Sequence, residues 1–214
     1  MPIEKPDQVE EYVRKLFAPE DAALLAIPPR QEAQGLPAIH ISPVEGKLIA
    51  VLLTAIGAKR VLEIGSLGGY SGVWIARALG PGGKLTTIEI DPQHAALTRQ
   101  AFREAGVGDR AEVVEGAGRE ILPRLNERFD AVFIDADKES YPFYFGHVVR
   151  LLRVGGLVLG DNAFRRGWVA DAKNNDEQTV AMREFNRLAA NDPRLSSTII
   201  PVRDGLLIGV KLAD

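Results

Sequence analysis

Apolar residues recur along this chain with two different periods. Up to about residue 57 they fall three and four apart. Val9, Tyr12, Val13, Leu16 and Phe17 share one face of a helix predicted over Pro6–Phe17. Pro19 interrupts it, and Asp21 is placed to cap a second helix running to about Gln31. After an irregular connection, Gly35–Pro43, the residues Leu48, Ile49, Val51, Leu52 and Ile56 predict a third helix over Glu45–Ile56, stopped by Gly57. These helices are expected to cover the edge of the remaining chain, or to form a lid over it.

From residue 58 short apolar runs alternate with helical stretches. Strands are predicted at Arg60–Ile64, Lys84–Ile90, Ala111–Glu115, Asp130–Ile134 and Gly156–Gly160. Between and after them lie helical patterns at Val73–Leu79, Pro92–Ala105, Gly118–Leu125, Tyr141–Leu152 and Asp176–Ala190. Ser196–Pro201 and Leu206–Lys211 read as a hairpin around Asp204-Gly205. Strands separated by helices predict an α/β fold with a doubly wound, mostly parallel sheet. With 214 residues and no linker, one domain spanning 1–214 is expected, divided into helices and lid (1–57) and α/β core (58–214).

Composition narrows the partners. The net charge of −3 and the lack of a basic block argue against nucleic acid. The absence of cysteine removes disulfides and thiolate metal sites. No apolar run approaches the ~18–20 residues of a membrane span. Met1–Lys15 is too charged for a signal peptide, so a cytoplasmic location is expected.

The chemistry concentrates where predicted strands end, since open α/β sheets bind ligands beyond their carboxyl edges. Val61–Gly72, VLEIGSLGGYSG, reads as strand, glycine loop and helix start. Its glycines break the G-x-G-x-x-G spacing of nicotinamide enzymes, and Glu63 would sit badly beside a pyrophosphate. Glu63-x-Gly65-x-x-x-Gly69-x-Ser71 instead resembles motif I of class I S-adenosylmethionine-dependent methyltransferases, whose cofactor is cationic at sulfur. Glu89 ends strand two and is placed to accept hydrogen bonds from both hydroxyls of a ribose. Strand four ends in Asp135-Ala136-Asp137-Lys138 and strand five in Asp161-Asn162. Singly these residues read as turn or helix caps. On adjacent strand ends, about 5 Å apart, Asp135, Asp161 and Asn162 favour a hard divalent cation between them. A lysine beside such a cation has its pKa lowered, which suits Lys138 as a general base toward a phenol.

The stretches EIGSLGGYS, IEIDP, EGAGREILP, FDAVFIDADKESYPFYF, VGGLVLGDN and PVRDGLLIGVKL together resemble the cation-dependent O-methyltransferases. That family includes caffeoyl-CoA and catechol O-methyltransferases and small bacterial relatives. The likeness runs from about Ile39 to Lys211. It implies a Rossmann-like sheet of seven strands with the seventh antiparallel, S-adenosylmethionine, a divalent cation (usually Mg²⁺, with Ca²⁺ or Mn²⁺ as alternatives), a small phenolic acceptor and a homodimer.

Carried over by position, the metal ligands are Asp135, Asp161 and Asn162, and Lys138 is the base. Ile39 and Ile41 lie in the segment IHISPVEG that closes over the methionine part of the cofactor. Glu63, Gly65, Ser66, Gly69 and Ser71 surround the glycine loop, and Glu89 and Ile90 reach the ribose. Gly116 and Ala117 stand at the adenine, with Asp135 and Asp137 near the methyl donor. Ile39 replaces a frequent methionine, Leu67 a frequent aromatic, and Gly118-Arg119 a polar pair. His40, in the lid, is a candidate ligand contact, whereas His94 and His147 read as solvated. Trp74 reads as packing. Trp168 is a candidate wall for an aromatic acceptor, with Arg165, Arg166 and Lys173 beside it to read a polar tail. The expected reaction is methylation of one hydroxyl of a vicinal diphenol. The rivals are a nicotinamide oxidoreductase and a catalytically silent cofactor-binding module.

Overall fold

The structure, a computed structural model, describes residues 5–214. Three helices lead: α1 (Pro6–Phe17), α2 (Ala22–Ala33) and α3 (Pro43–Ala55). The alternating part comes next as β1 (Arg60–Ile64), α4 (Tyr70–Ala78), β2 (Lys84–Glu89), α5 (Pro92–Glu104), β3 (Ala111–Glu115) and α6 (Gly118–Ile121). It continues with β4 (Phe129–Ile134), α7 (Tyr141–Leu151), β5 (Leu152–Gly160), α8 (Glu177–Asn191), β6 (Leu195–Ile200) and β7 (Leu206–Lys211).

The seven strands form one sheet in the order β3-β2-β1-β4-β5-β7-β6. β1 to β5 are parallel, and β7 runs antiparallel to both β5 and β6. Side chains alternate across a strand, so a sheet covered on both faces needs apolar residues at every position. Val61, Ala131, Phe133, Leu157 and Leu159 face one layer, with Leu53 of α3, Val73 and Ile75 of α4 and Phe102 of α5. Leu62, Ile64, Val132, Ile134 and Val158 face the other, with Val148 of α7 and Met182 and Phe185 of α8. Each such side chain contributes about 1.5–3 kcal/mol on leaving water.

Several boundaries differ from expectation. α4 begins at Tyr70 rather than Val73, because Gly69 takes a left-handed φ of 88° and starts the helix at once. β5 begins at Leu152 rather than Gly156: Phe129 pairs with Leu152 and a register shift comes after it, so the strand carries a bulge. α2 passes through Pro28-Pro29 to Ala33. α1 packs near α3 but buries none of its residues. Its expected inner face stays open, with Tyr12 63 % and Phe17 55 % exposed. Among the described residues no helix is long and apolar enough to cross a membrane.

Candidate active site

A cavity of about 710 Å³ opens at the carboxyl edge of the sheet. Its floor is the loop between β1 and α4. Gly65 has φ +90°, and any Cβ there would collide with the carbonyl oxygen of Asp135. Gly69 lies outside the cavity, where a Cβ would press on Thr98 and Ala101 of α5 at 3.2 Å. Glycine is needed at both positions by conformation and by space.

Glu89 organises this loop. Its Oε2 accepts from Ser66 N (3.0 Å), Ser66 Oγ (2.9 Å) and Leu67 N (3.0 Å), and its Oε1 accepts from Asp91 N at 3.0 Å. The carboxylate thus ties the end of β2 to the loop after β1 while still lining the cavity. His94 Nδ1 lies 3.8 Å from Glu89 Oε1 on the same wall. The expectation that His94 is merely solvated is corrected: α5 starts at the cavity rim and its first turn looks inward.

Glu63 stands elsewhere. It is fully buried under α4 and does not line the cavity. Ser71 Oγ donates to its Oε1 at 2.6 Å, while Oε2 has no partner. Burial pushes its acid up to about 7, from 4.5. A folded pKa above the unfolded one means stability is fullest below pH 4.5 and declines as pH rises to about 7. Glu63→Gln is therefore expected to gain on the native protein by on the order of 3 kcal/mol between low pH and pH 8. Urea unfolding across that range measures it, and a pH-independent difference would refute it.

At the far end, Ile134 pairs with Gly160, so Asp135 and Asp161 leave neighbouring strands side by side. Asp161 N donates to Ile134 O at 3.0 Å, and Asn162 N donates to Asp161 Oδ1 at 2.7 Å. Asn162 is held at φ +58°. Asp161 is 5 % exposed. Burial, then the charges of Asp135 and Glu45, push its acid upward. Glu45, expected only as a helix start, has a second place here. It closes a capping box with Ser42 at the start of α3. With Asp161, Asn162, Arg203 and Asp204 it also lines a small polar recess of about 50 Å³ beside the main cavity.

Lys138 Nζ donates to Asp135 Oδ1 and to Tyr141 Oη, both at 2.9 Å. Tyr141 is fully buried and its hydroxyl reaches Ile134 O (3.0 Å) and Asp161 O (3.2 Å). The expected lowering of the Lys138 pKa belongs to a cation beside it; with Asp135 and Tyr141 as its partners the shift runs the other way. Burial opposes the charge, but the Tyr141 oxygen and the Asp135 carboxylate outweigh it and hold the ammonium above the usual lysine range.

The remaining candidates divide clearly. Ile39, His40, Ile41, Ser66, Ser71 and Ile90 line the cavity on the cofactor-loop side. His40 tilts against Tyr70 at 4.9 Å, and its buried Nδ1 has no partner. Gly116 and Ala117 line the next wall. Asp137 also lines it and accepts from Tyr144 Oη at 2.6 Å. Asn162, Arg165 and Arg166 line the far side. Trp168 does not reach the cavity; it is 42 % exposed and lies 5.4 Å from the guanidinium of Arg165. Tyr141, Tyr144 and Gln178 join the site without having been expected there. The three-residue spacing Lys138, Tyr141, Tyr144 is the available signal, because it stacks these groups on one face.

Two carboxylates following paired strand ends, with the Asn162 amide between the cavity and the recess, are donors that suit a hard divalent cation. Among the described residues no group of three or more His, Cys, Asp or Glu stands ready to hold a metal. The amide of Asn162 would be the third ligand.

The family model described as O-methyltransferase matches residues 20–212. A catechol O-methyltransferase of Niastella koreensis is 38 % identical over 212 residues, covering 97 % of this chain and 94 % of that one. A catechol O-methyltransferase of Mycobacterium tuberculosis is 40 % identical over 196 residues, covering 91 % and 89 %. The solved O-methyltransferase of Bacillus cereus in complex with SAH superposes with a TM-score of 0.91 at 37 % identity, covering 95 % of this chain and 97 % of that one.

Proposed function

Because the chain belongs to the O-methyltransferase family, we propose that it uses S-adenosylmethionine and a divalent cation to methylate one hydroxyl of a vicinal diphenol. What supports this reading is that Asp135 and Asp161 follow paired strand ends, Asp135 and Asn162 lining the cavity whose other end is the glycine loop and Glu89, and Asp161 and Asn162 lining the recess beside it. Ile41, Ser66, Glu89 and Ala117, with Asp137 and Asp135 on the same cavity, are the residues that would hold the methyl donor. The acceptor then enters from the side of Asn162 and Arg165.

The cation, Mg²⁺ by the hardness of its ligands, would lower the pKa of the hydroxyl it holds. Asp135, Asp161 and Asn162 are the residues that would bind it. Asp135 Oδ1 is also the counter-ion of the Lys138 ammonium. With Asp135 holding the cation, Lys138 Nζ would lose that counter-ion, give its own proton to solvent and, as the neutral amine, take the hydroxyl proton. Tyr141 Oη keeps Nζ in place meanwhile. The rest of the rate would come from holding oxygen and methyl in line.

The test is direct. Purified protein with S-adenosylmethionine, Mg²⁺ and catechol should yield the monomethyl ether by mass spectrometry, and excess EDTA should stop it. Full turnover in chelator, or no product across a panel of diphenols, would overturn the proposal.

A further inference from the structure

Resting on that reading of the acceptor as a vicinal diphenol, we propose that its tail carries a carboxylate received by Arg165 and Arg166. Both line the far side of the main cavity, next to Asn162, where the part of the acceptor remote from its hydroxyls must lie.

The loop that presents them is built rather than loose. Three of the five non-glycine residues with left-handed φ among the described residues fall together here: Asn162 (58°), Arg165 (49°) and Arg166 (57°). Such backbone is disfavoured for an L side chain, so surrounding contacts must impose it. They do. Asp204 O accepts from Phe164 N at 2.8 Å, and the Asp204 carboxylate accepts from Arg166 N. Further along, Arg183 of α8 donates to Val169 O (3.0 Å), Asn174 O (2.7 Å) and Trp168 O (3.0 Å). A loop whose cations merely met solvent would not need this clamp.

The guanidinium of Arg165 is oriented by neutral groups. Its Nη2 donates to Gln178 Oε1 at 2.5 Å, and Gln178 is itself aimed by donating Nε2 to Glu139 Oε1 at 2.8 Å. Trp168 braces the guanidinium from behind, a cation–π contact. Arg165 Nε is buried with no partner, a costly condition that a carboxylate oxygen would relieve. Arg30, Arg77, Arg153 and Arg194 stand in ion pairs with carboxylates. Among the described residues neither Arg165 nor Arg166 does. The nearby acids are otherwise engaged: Asp204 through the Arg166 backbone, Asp176 as the cap of α8, accepting from Thr179 N at 3.0 Å, and Glu139 by Gln178. Two forked cations without carboxylate partners at the acceptor end, Arg165 held by its guanidinium and Arg166 by its backbone, match a carboxylate.

Caffeate and its methyl ester share a ring and differ in that charge. The native enzyme should show a kcat/KM for the acid roughly 10- to 100-fold above the ester, the scale of one or two charge-assisted hydrogen bonds. Arg165→Gln and Arg166→Gln should each bring the ratio toward one, mostly through KM of the acid. Arg165→Lys should fall between, keeping charge without the fork. Equal kcat/KM for acid and ester in the native enzyme would overturn the proposal, whatever the variants do. A matching loss on both acceptors would overturn it too, as would a loss traced to KM of S-adenosylmethionine, which would make the arginines read the cofactor's own carboxylate. If neither acceptor, nor plain catechol, is methylated, the functional reading itself fails first. Turnover without preference for the acid rejects only the carboxylate.

Discussion

Asp161→Ala is expected to abolish methyl transfer while leaving the protein folded and able to bind cofactor. Asp161 is buried and follows β5 beside Asp135, which follows the neighbouring β4. In the proposed reaction it is one of two carboxylates that hold the cation, whose contribution to the transition state is several kcal/mol, about 10³-fold in rate. The stability effect has the opposite character. A buried carboxyl repelled by Asp135 and Glu45 does not stabilise the fold on its own. Millimolar Mg²⁺ should therefore raise Tm of the native protein by linkage and leave Tm of the variant unmoved. An equal Mg²⁺ shift in both proteins, or turnover near the native rate, would remove Asp161 from the metal site.

Lys138→Met should lower kcat by about 10²–10⁴, the range for loss of a general base. Lys138 is largely buried, and its Nζ is the one cation within reach of Asp135 among the ion pairs of the described residues. Two explanations for a loss must be separated: a missing base, and a missing positive charge near the developing phenolate. Lys138→Arg separates them, since guanidinium keeps the charge and does not give up its proton. If the base role is right, the arginine variant is nearly as inactive as the methionine variant in a rapid-quench measurement of the chemical step. Recovery of most of the native rate with arginine would assign Lys138 to electrostatics.

Legibility in the sequence reflects how a parallel sheet works. Strands that run the same way deliver their last residues to one edge, so Glu89, Gly116, Asp135 and Asp161 are bound to meet there once the strands are recognised. Contacts that join distant segments without a periodic signal are not legible. Glu45 reaches the recess because the first turn of α3 lies beside Asp161 and Asn162, which follow β5, and nothing in PVEG announces it. Glu63 looks like part of the cofactor loop, yet strand alternation sends it under α4, away from the cavity that Ile64 lines. A depressed pKa is expected for Lys138 only if its partner is a cation; the nearest charge is Asp135. Trp168, expected as a wall, stands one layer back, behind Arg165.

The convergence of donors on Glu89 bears on redesign. An engineer wishing to admit an altered cofactor would look first to the acid at the end of β2, the residue expected from the sequence to reach the ribose. Here that acid also fastens Ser66, Leu67 and Asp91. Changing it would unfasten the floor of the pocket along with its selectivity, and any library built on it would be filled with loosened loops. Ile90, 70 % exposed, and Ala117 border the same space, and neither side chain holds the backbone in place. They are where variation of the pocket costs the fold least.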